Sequence, residues 1–159
     1  MHVLFVCTGN TCRSPMAQAL FLHMVKATGL KGFSASSAGL HASDGMEASL
    51  AALAALRSKG IVLGAHATRR VTKQQIEEAD IVLCMENMHL IELFSRFPGV
   101  NADTLLHFAI GDMGDVQDPF GGSAHVYLST FSQLQRAMLP VLSRLSGIEE
   151  NELKRRMRG

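Results

Sequence analysis

A strand, a loop and a helix are written into the first residues of this chain. His2 to Val6 are a short apolar, β-branched run, Cys7 to Ser14 are polar and include Gly9 and Asn10, and Pro15 follows Ser14 directly. A brief apolar run of that kind reads as a strand buried on both faces. Serine then proline opens a helix, because the serine oxygen can cap the first turn and proline has no N–H to leave unpaired there.

The same alternation runs on. The first helix extends from residue 15 to about residue 28, with Met16, Leu20, Met24 and Ala27 on one stripe and Gly29 at its end. Residues 33–38 read as a second strand closed by Gly39, and Met46 to Lys59 as an Ala/Leu-rich helix stopped by Gly60. Val71 to Glu78 reads as a short helix, Ile81 to Met85 as another buried strand, and Met88 to Phe97 as a helix ended by Pro98-Gly99. Thr104 to Phe108 is assigned as a fourth strand. Tyr127, Phe131, Leu134, Met138, Val141 and Leu145 then recur at steps of four and three, the mark of a long amphipathic helix. The expected fold class is α/β: a single-domain, doubly wound sheet of about four parallel strands with helices on both faces. Residues 1–159 are expected to form that one domain.

Composition narrows the function. Hydrophobic residues make up 47% and charged residues 18%, enough to bury a core and too apolar for disorder. Lys and Arg total 15 against 14 Asp and Glu, which argues against binding nucleic acid through bulk charge. With no Trp and one Tyr, the chain also lacks a stacking platform. Met1 to Asn10 has no charged segment of a signal peptide, and no stretch approaches the ~18 apolar residues of a membrane span. Cys7, Cys12 and Cys84 make an odd count without a secretion signal, so a cytoplasmic setting is expected rather than a disulfide scaffold. Cys84 ends an apolar run and reads as core. The histidines show no metal-binding spacing. The basic tail Lys154 to Arg158 follows Glu149, Glu150 and Glu152 and reads as a solvated helix end.

In open parallel sheets, ligands bind at the carboxyl ends of strands, beside helix N-termini. The Cys7–Ser14 loop lies at such a place. Its backbone N–H groups can turn inward as an anion cradle, and Gly9 tolerates the angles this needs. The positive end of the following helix adds to the cradle, and Arg13 can fork two hydrogen bonds onto an oxyanion. Cys7 faces the same field, so its thiolate is expected to be favoured and its pKa lowered. A thiolate under a bound phosphate suggests phosphoryl transfer through phosphocysteine.

The loop with Ser14 and Pro15 resembles the phosphate-binding loop of low molecular weight protein tyrosine phosphatases. That family pairs a Cys-x5-Arg-Ser loop near the N-terminus with a distant Asp-Pro, and here Asp118-Pro119 stands in DVQDPFGGS. Ser37-Ala38-Gly39, His66 ahead of Arg69, and Cys84-Met85-Glu86 match too, so the resemblance covers nearly the whole chain. It implies that Cys7 is the nucleophile, Arg13 the phosphate clamp, and Asp118 the acid that protonates the leaving group and then activates water. Ser14 would hydrogen-bond the thiolate and Asn10 would hold the loop in shape. Thr8, Gly9, Asn10, Thr11, Cys12, Ser14 and Phe120 would bind substrate, and His66 would support the loop. Cys12 would either form a reversible disulfide with the nucleophile or fill space as a small packed side chain. The implied substrates are phosphorylated proteins and the product inorganic phosphate, with no cofactor, no metal, no nucleic acid and no membrane. A monomer is expected.

Two features bear on the substrate. The family's tyrosine phosphatases usually carry an aliphatic residue where this chain has Thr11, and an aromatic-rich stretch where it has Phe120-Gly121-Gly122-Ser123. Both features resemble the bacterial protein arginine phosphatase branch. A hydroxyl at position 11 can accept a hydrogen bond from a guanidinium, whereas an isoleucine would pack a phenol ring, and such a difference discriminates strongly. Phosphoarginine is therefore the expected substrate, with phosphotyrosine as the alternative. Thr8-Gly9-Asn10-Thr11 also resembles the flavodoxin phosphate loop, which would make the chain an FMN electron carrier. That reading leaves Cys7, Arg13 and Asp118 unexplained. An arsenate reductase would need two further cysteines in a later loop, and only Cys84 is there. Intact Cys7, Arg13 and Asp118 argue against a dead phospho-residue binding module.

Overall fold

The computed structural model describes residues 1–159. Four strands, β1 (His2–Cys7), β2 (Ser34–Gly39), β3 (Ile81–Cys84) and β4 (Ala102–Thr104), form one sheet in the order β2-β1-β3-β4, every pair parallel. Seven helices pack around it: α1 (Arg13–Thr28), α2 (Leu50–Ser58), α3 (Lys73–Glu78), α4 (Asn87–Arg96), α5 (Leu105–Ile110), α6 (Ala124–Ser146) and α7 (Glu150–Arg158). The α/β class and the parallel sheet are as expected. No helix is long and apolar enough to cross a membrane.

The unbroken apolar run of β1 follows from its central position. Side chains alternate across a strand, so Val3, Phe5 and Cys7 join the larger core with Leu83, Phe21, Phe131 and Met138. Leu4 and Val6 join the smaller core with Val82, Cys84, Leu40, Val71 and Leu93. Val3 through Val6 have no exposed surface. Phe5 and Phe21 meet edge to face with ring centroids 5.7 Å apart, and truncating Phe5 to Ala would cost about 3–5 kcal/mol by cavity formation.

Three local expectations are corrected. Thr104–Phe108 is not a strand: β4 ends at Thr104, whose hydroxyl accepts from the His107 N–H and caps α5. A short apolar run fits strand and helix alike, and the cap decides it. The helix expected from Met46 starts only at Leu50, because Ser49 accepts from the Ala52 N–H and caps it. Ser14 is not a cap either. It lies inside α1, which begins one residue earlier, and its hydroxyl serves the loop instead.

All four strands are parallel, so their carboxyl ends gather on one edge. Cys7, Gly39 and Cys84 lie there side by side: Cys7 pairs with Gly39, and Val6 with Cys84. The backbone links Met85 to Val6 and Val116 to Met85, which brings the Asp118 segment to the same edge.

Candidate active site

The Cys7–Ser14 loop is held by its carbonyls. Cys7 O accepts from Leu40 N, Thr8 O from His41 N, Thr11 O from Ser49 N and Cys12 O from Met16 N. Asn10 O lies 3.0 Å from His66 Nε2, which donates to it. With the carbonyls turned outward, the N–H groups face inward, the arrangement of an anion cradle. Among the N–H groups of residues 8–12, the one partner within the protein is Cys7 Sγ, 3.3 Å from Asn10 N.

Asn10 is the keystone. It is fully buried and the one non-glycine residue in the left-handed region, at φ 59°, a conformation asparagine tolerates better than most side chains. Its Oδ1 accepts from Arg69 N at 3.1 Å. That contact fixes the amide orientation, so Nδ2 donates to Ser14 Oγ at 2.9 Å and Ser37 Oγ at 3.0 Å. The Ser37 hydroxyl in turn donates a hydrogen bond to Gln18 Oε1 at 2.7 Å. Ser14, having accepted from Asn10, can donate to Cys7 Sγ, 2.9 Å away. Gly39 completes the fit, since a Cβ there would come within 2.5 Å of Thr8 O and 3.0 Å of Asn10 N.

The electrostatics of Cys7 correct one expectation. Cys7 is 3% exposed, and burial pushes its pKa up, while the Ser14 hydroxyl, the Ser14 backbone N–H, the Arg13 guanidinium and the Asn10 N–H pull it down. Net elevation, not depression, is the result, because desolvation of a thiolate outweighs those contacts. Cys84 is pushed up to about 12 by burial and lies in the smaller core.

Arg13 is 2% exposed. Its Nη1 donates to Val116 O at 2.9 Å and meets Glu86 Oε1 at 3.0 Å. Its Nη2 stands 3.7 Å from Asp118 Oδ2. Glu86 also lies 3.1 Å from His89 Nε2, and its backbone N–H donates to His89 Nδ1. Nδ1 is therefore unprotonated and Nε2 carries the hydrogen, within 2.8 Å of Thr8 Oγ1. Burial first, then the Arg13 charge, lower the His89 pKa and favour the neutral ring.

Cys7, Thr8, Gly9, Thr11, Cys12, Arg13, Asp118 and Phe120 line one cavity of about 350 Å³, while Asn10 and Ser14 lie beneath it. Asp118 is half-exposed and accepts from the Phe120 N–H. Cys12 Sγ lies 3.3 Å from the Tyr127 hydroxyl, and all three cysteines are free thiols. No group of three or more His, Cys, Asp or Glu side chains is arranged to hold a metal ion. Glu86, His89, Ser37 and Gln18 have no role assignable from the sequence; Glu86 and Ser37 fall in segments that carry the family resemblance, and His89 shows only a three-residue spacing from Glu86.

Residues 2–155 match the family described as low molecular weight phosphotyrosine protein phosphatase. A Bacillus subtilis protein-arginine-phosphatase is 40% identical over 148 residues, 91% of this chain and 97% of that one. A low molecular weight protein-tyrosine-phosphatase, PtpB of Staphylococcus haemolyticus, is 36% identical over 84% of this chain and 92% of its own. Among solved structures, a C7S mutant of the YwlE arginine phosphatase with a phosphorylated active-site serine superposes with a TM-score of 0.88. It is 38% identical, with 92% of this chain and 96% of that chain covered.

Proposed function

The chain belongs to the low molecular weight phosphotyrosine protein phosphatase family, and from that membership we propose that it hydrolyses phosphoarginine on proteins through a phosphocysteine. A thiol, a buried guanidinium and a half-exposed carboxylate face one cavity, and that juxtaposition carries the reading. In the first step the Cys7 thiolate attacks phosphorus. The S–P bond forms as the P–N bond breaks, and Asp118 gives its proton to the departing guanidine nitrogen. Arg13 and the inward N–H groups take up the charge on the transferring oxygens. In the second step water attacks phosphorus, Asp118 receives its proton, and the Cys7 thiolate leaves with inorganic phosphate released. The phosphorylated serine of the YwlE C7S mutant supports a covalent route. The preference for phosphoarginine is supported by Thr11 on the cavity wall and by the Bacillus subtilis relative's name.

The test compares kcat/KM on matched phosphoarginine and phosphotyrosine peptides, with Thr11→Ile alongside. The expected result is a preference for phosphoarginine that falls at least ~100-fold in the variant, in line with sites that lose a substrate hydrogen bond. A preference for phosphotyrosine in the parent protein overturns the arginine assignment and leaves the phosphocysteine route standing.

A further inference from the structure

Helix α4 has two faces. His89 and Leu93 are buried, and Leu90 packs against the smaller core. Met88, Ile91, Glu92 and Ser95, at positions i, i+3, i+4 and i+7, form another face and line a groove of about 400 Å³ with Thr8, His41, Glu86 and His89. Met88 is 68% exposed and Ile91 61%. Thr8 and His41 line the catalytic cavity as well, so they are the ridge over which one space opens into the next.

That ridge is fixed. The Thr8 hydroxyl is bound to His89 Nε2 at 2.8 Å. His41 Nε2 lies 2.9 Å from Glu92 Oε2, and Arg96 ties Glu92 at 3.2 Å to Leu40 O at 3.1 Å. No lysine or arginine lines the groove, so a second anionic group has no partner there. Two exposed apolar side chains one turn apart, beside a catalytic mouth, suit an apolar contact. Methionine adapts to many shapes, which suits a site that reads apolarity rather than one side chain.

We propose that this groove receives the stretch of substrate protein next to the phosphorylated residue and selects an apolar side chain there, through Met88 and Ile91. The inference rests on the phosphatase reading of the adjoining cavity. A substrate chain whose phosphorylated side chain enters the cavity must leave over the rim, and the ridge of Thr8 and His41 leads into the groove.

The experiment measures kcat/KM for the native protein on phosphoarginine peptides carrying Leu or Ser at each of three positions on either side. Free phosphoarginine serves as the small substrate, and the Met88→Ser/Ile91→Ser variant is run in parallel. At one flanking position Leu is expected to beat Ser by about fivefold to tenfold, chiefly through KM, as one partly buried apolar contact allows. In the variant that preference should shrink below about twofold, with turnover of free phosphoarginine unchanged. The native scan is itself decisive, because equal rates for Leu and Ser at every position overturn the groove assignment. An unchanged Leu preference in the variant also overturns it. So does a native dimer that the variant dissolves without any flanking preference, since the occupant would then be a second copy of this chain. If the native protein turns over neither free phosphoarginine nor an aryl phosphate, the catalytic reading has failed and the groove's role falls with it. That result is distinct from full activity without selectivity.

Discussion

Two loops meet across the catalytic cavity, and they are built on opposite terms. In residues 7–14 Cys7, Arg13, Asn10 and Ser14 are all buried, and the loop carbonyls are bound from outside. The Asp118 loop is anchored at its two ends. Gln117 bonds Gln133 and Thr130, and Ser123 caps α6. Its tip stands in solvent, with Phe120 80% exposed and the half-exposed Asp118 held only by the Phe120 N–H and a 3.7 Å approach of Arg13 Nη2. The difference fits what each must do in the proposed mechanism. Groups that stabilise charge on the phosphoryl oxygens are most effective when fixed before substrate arrives. A proton donor must reach leaving groups carried on different protein surfaces, so it gains from an open tip.

Replacing Asp118 with Asn tests that division most severely. Turnover of phosphoarginine peptides should fall about 10²–10³-fold, the range general acid catalysis supplies. An activated aryl phosphate, whose leaving group needs little protonation, should lose about tenfold or less. Competitive inhibition by inorganic phosphate, which reports the Cys7–Ser14 loop alone, should hold. Equal losses on both substrates would remove Asp118 from the acid role.

Gly39→Ala should do the reverse. The added Cβ cannot stand 2.5 Å from Thr8 O and 3.0 Å from Asn10 N, so the loop must shift. A displacement of about 1 Å costs on the order of 10²-fold in rate. The loss should be alike for phosphoarginine peptides and activated aryl phosphates, with phosphate inhibition weakened in step. A loss that tracks leaving-group quality would show that Gly39 acts through the Asp118 loop instead.

The contrast between the loops also marks where the sequence could be read. Cys7 and Arg13 lie in one short loop between a strand and a helix, so local pattern exposes them, whereas Asn10, Ser14 and Asp118 gain their roles only from the family resemblance. Glu86 stands in a segment that carries the family resemblance, but neither it nor His89 shows a role in the sequence, where they are two polar residues entering a helix. They reach the site only because β3 pairs with β1, a tertiary fact with no local trace. The α5 segment departs from the expected strand because six residues are too few for periodicity to separate helix from strand. The Cys7 pKa departs from expectation for a related reason. The charges and dipoles that favour the thiolate are visible in the motif, but the burial that opposes them comes from β1 lying at the sheet centre.

That opposition makes Ser14 worth testing, with the smallest effect of the three. Its hydroxyl lowers the Cys7 pKa against burial, so in Ser14→Ala the pKa must rise further. Reaction needs the thiolate, and the midpoint of Cys7 alkylation by iodoacetamide against pH should therefore move upward. Phosphatase activity near neutral pH should fall roughly tenfold, the worth of one hydrogen bond to a charged group at ~1.5 kcal/mol. The deficit should narrow as pH rises toward the new midpoint. Asn10 keeps its bonds to Ser37 and Arg69 in the variant, so loop shape and phosphate inhibition should change little. An alkylation midpoint that stays in place would mean that the hydroxyl positions the sulfur without stabilising its charge. The backbone N–H groups of Ser14 and Asn10, with Arg13, would then hold the thiolate.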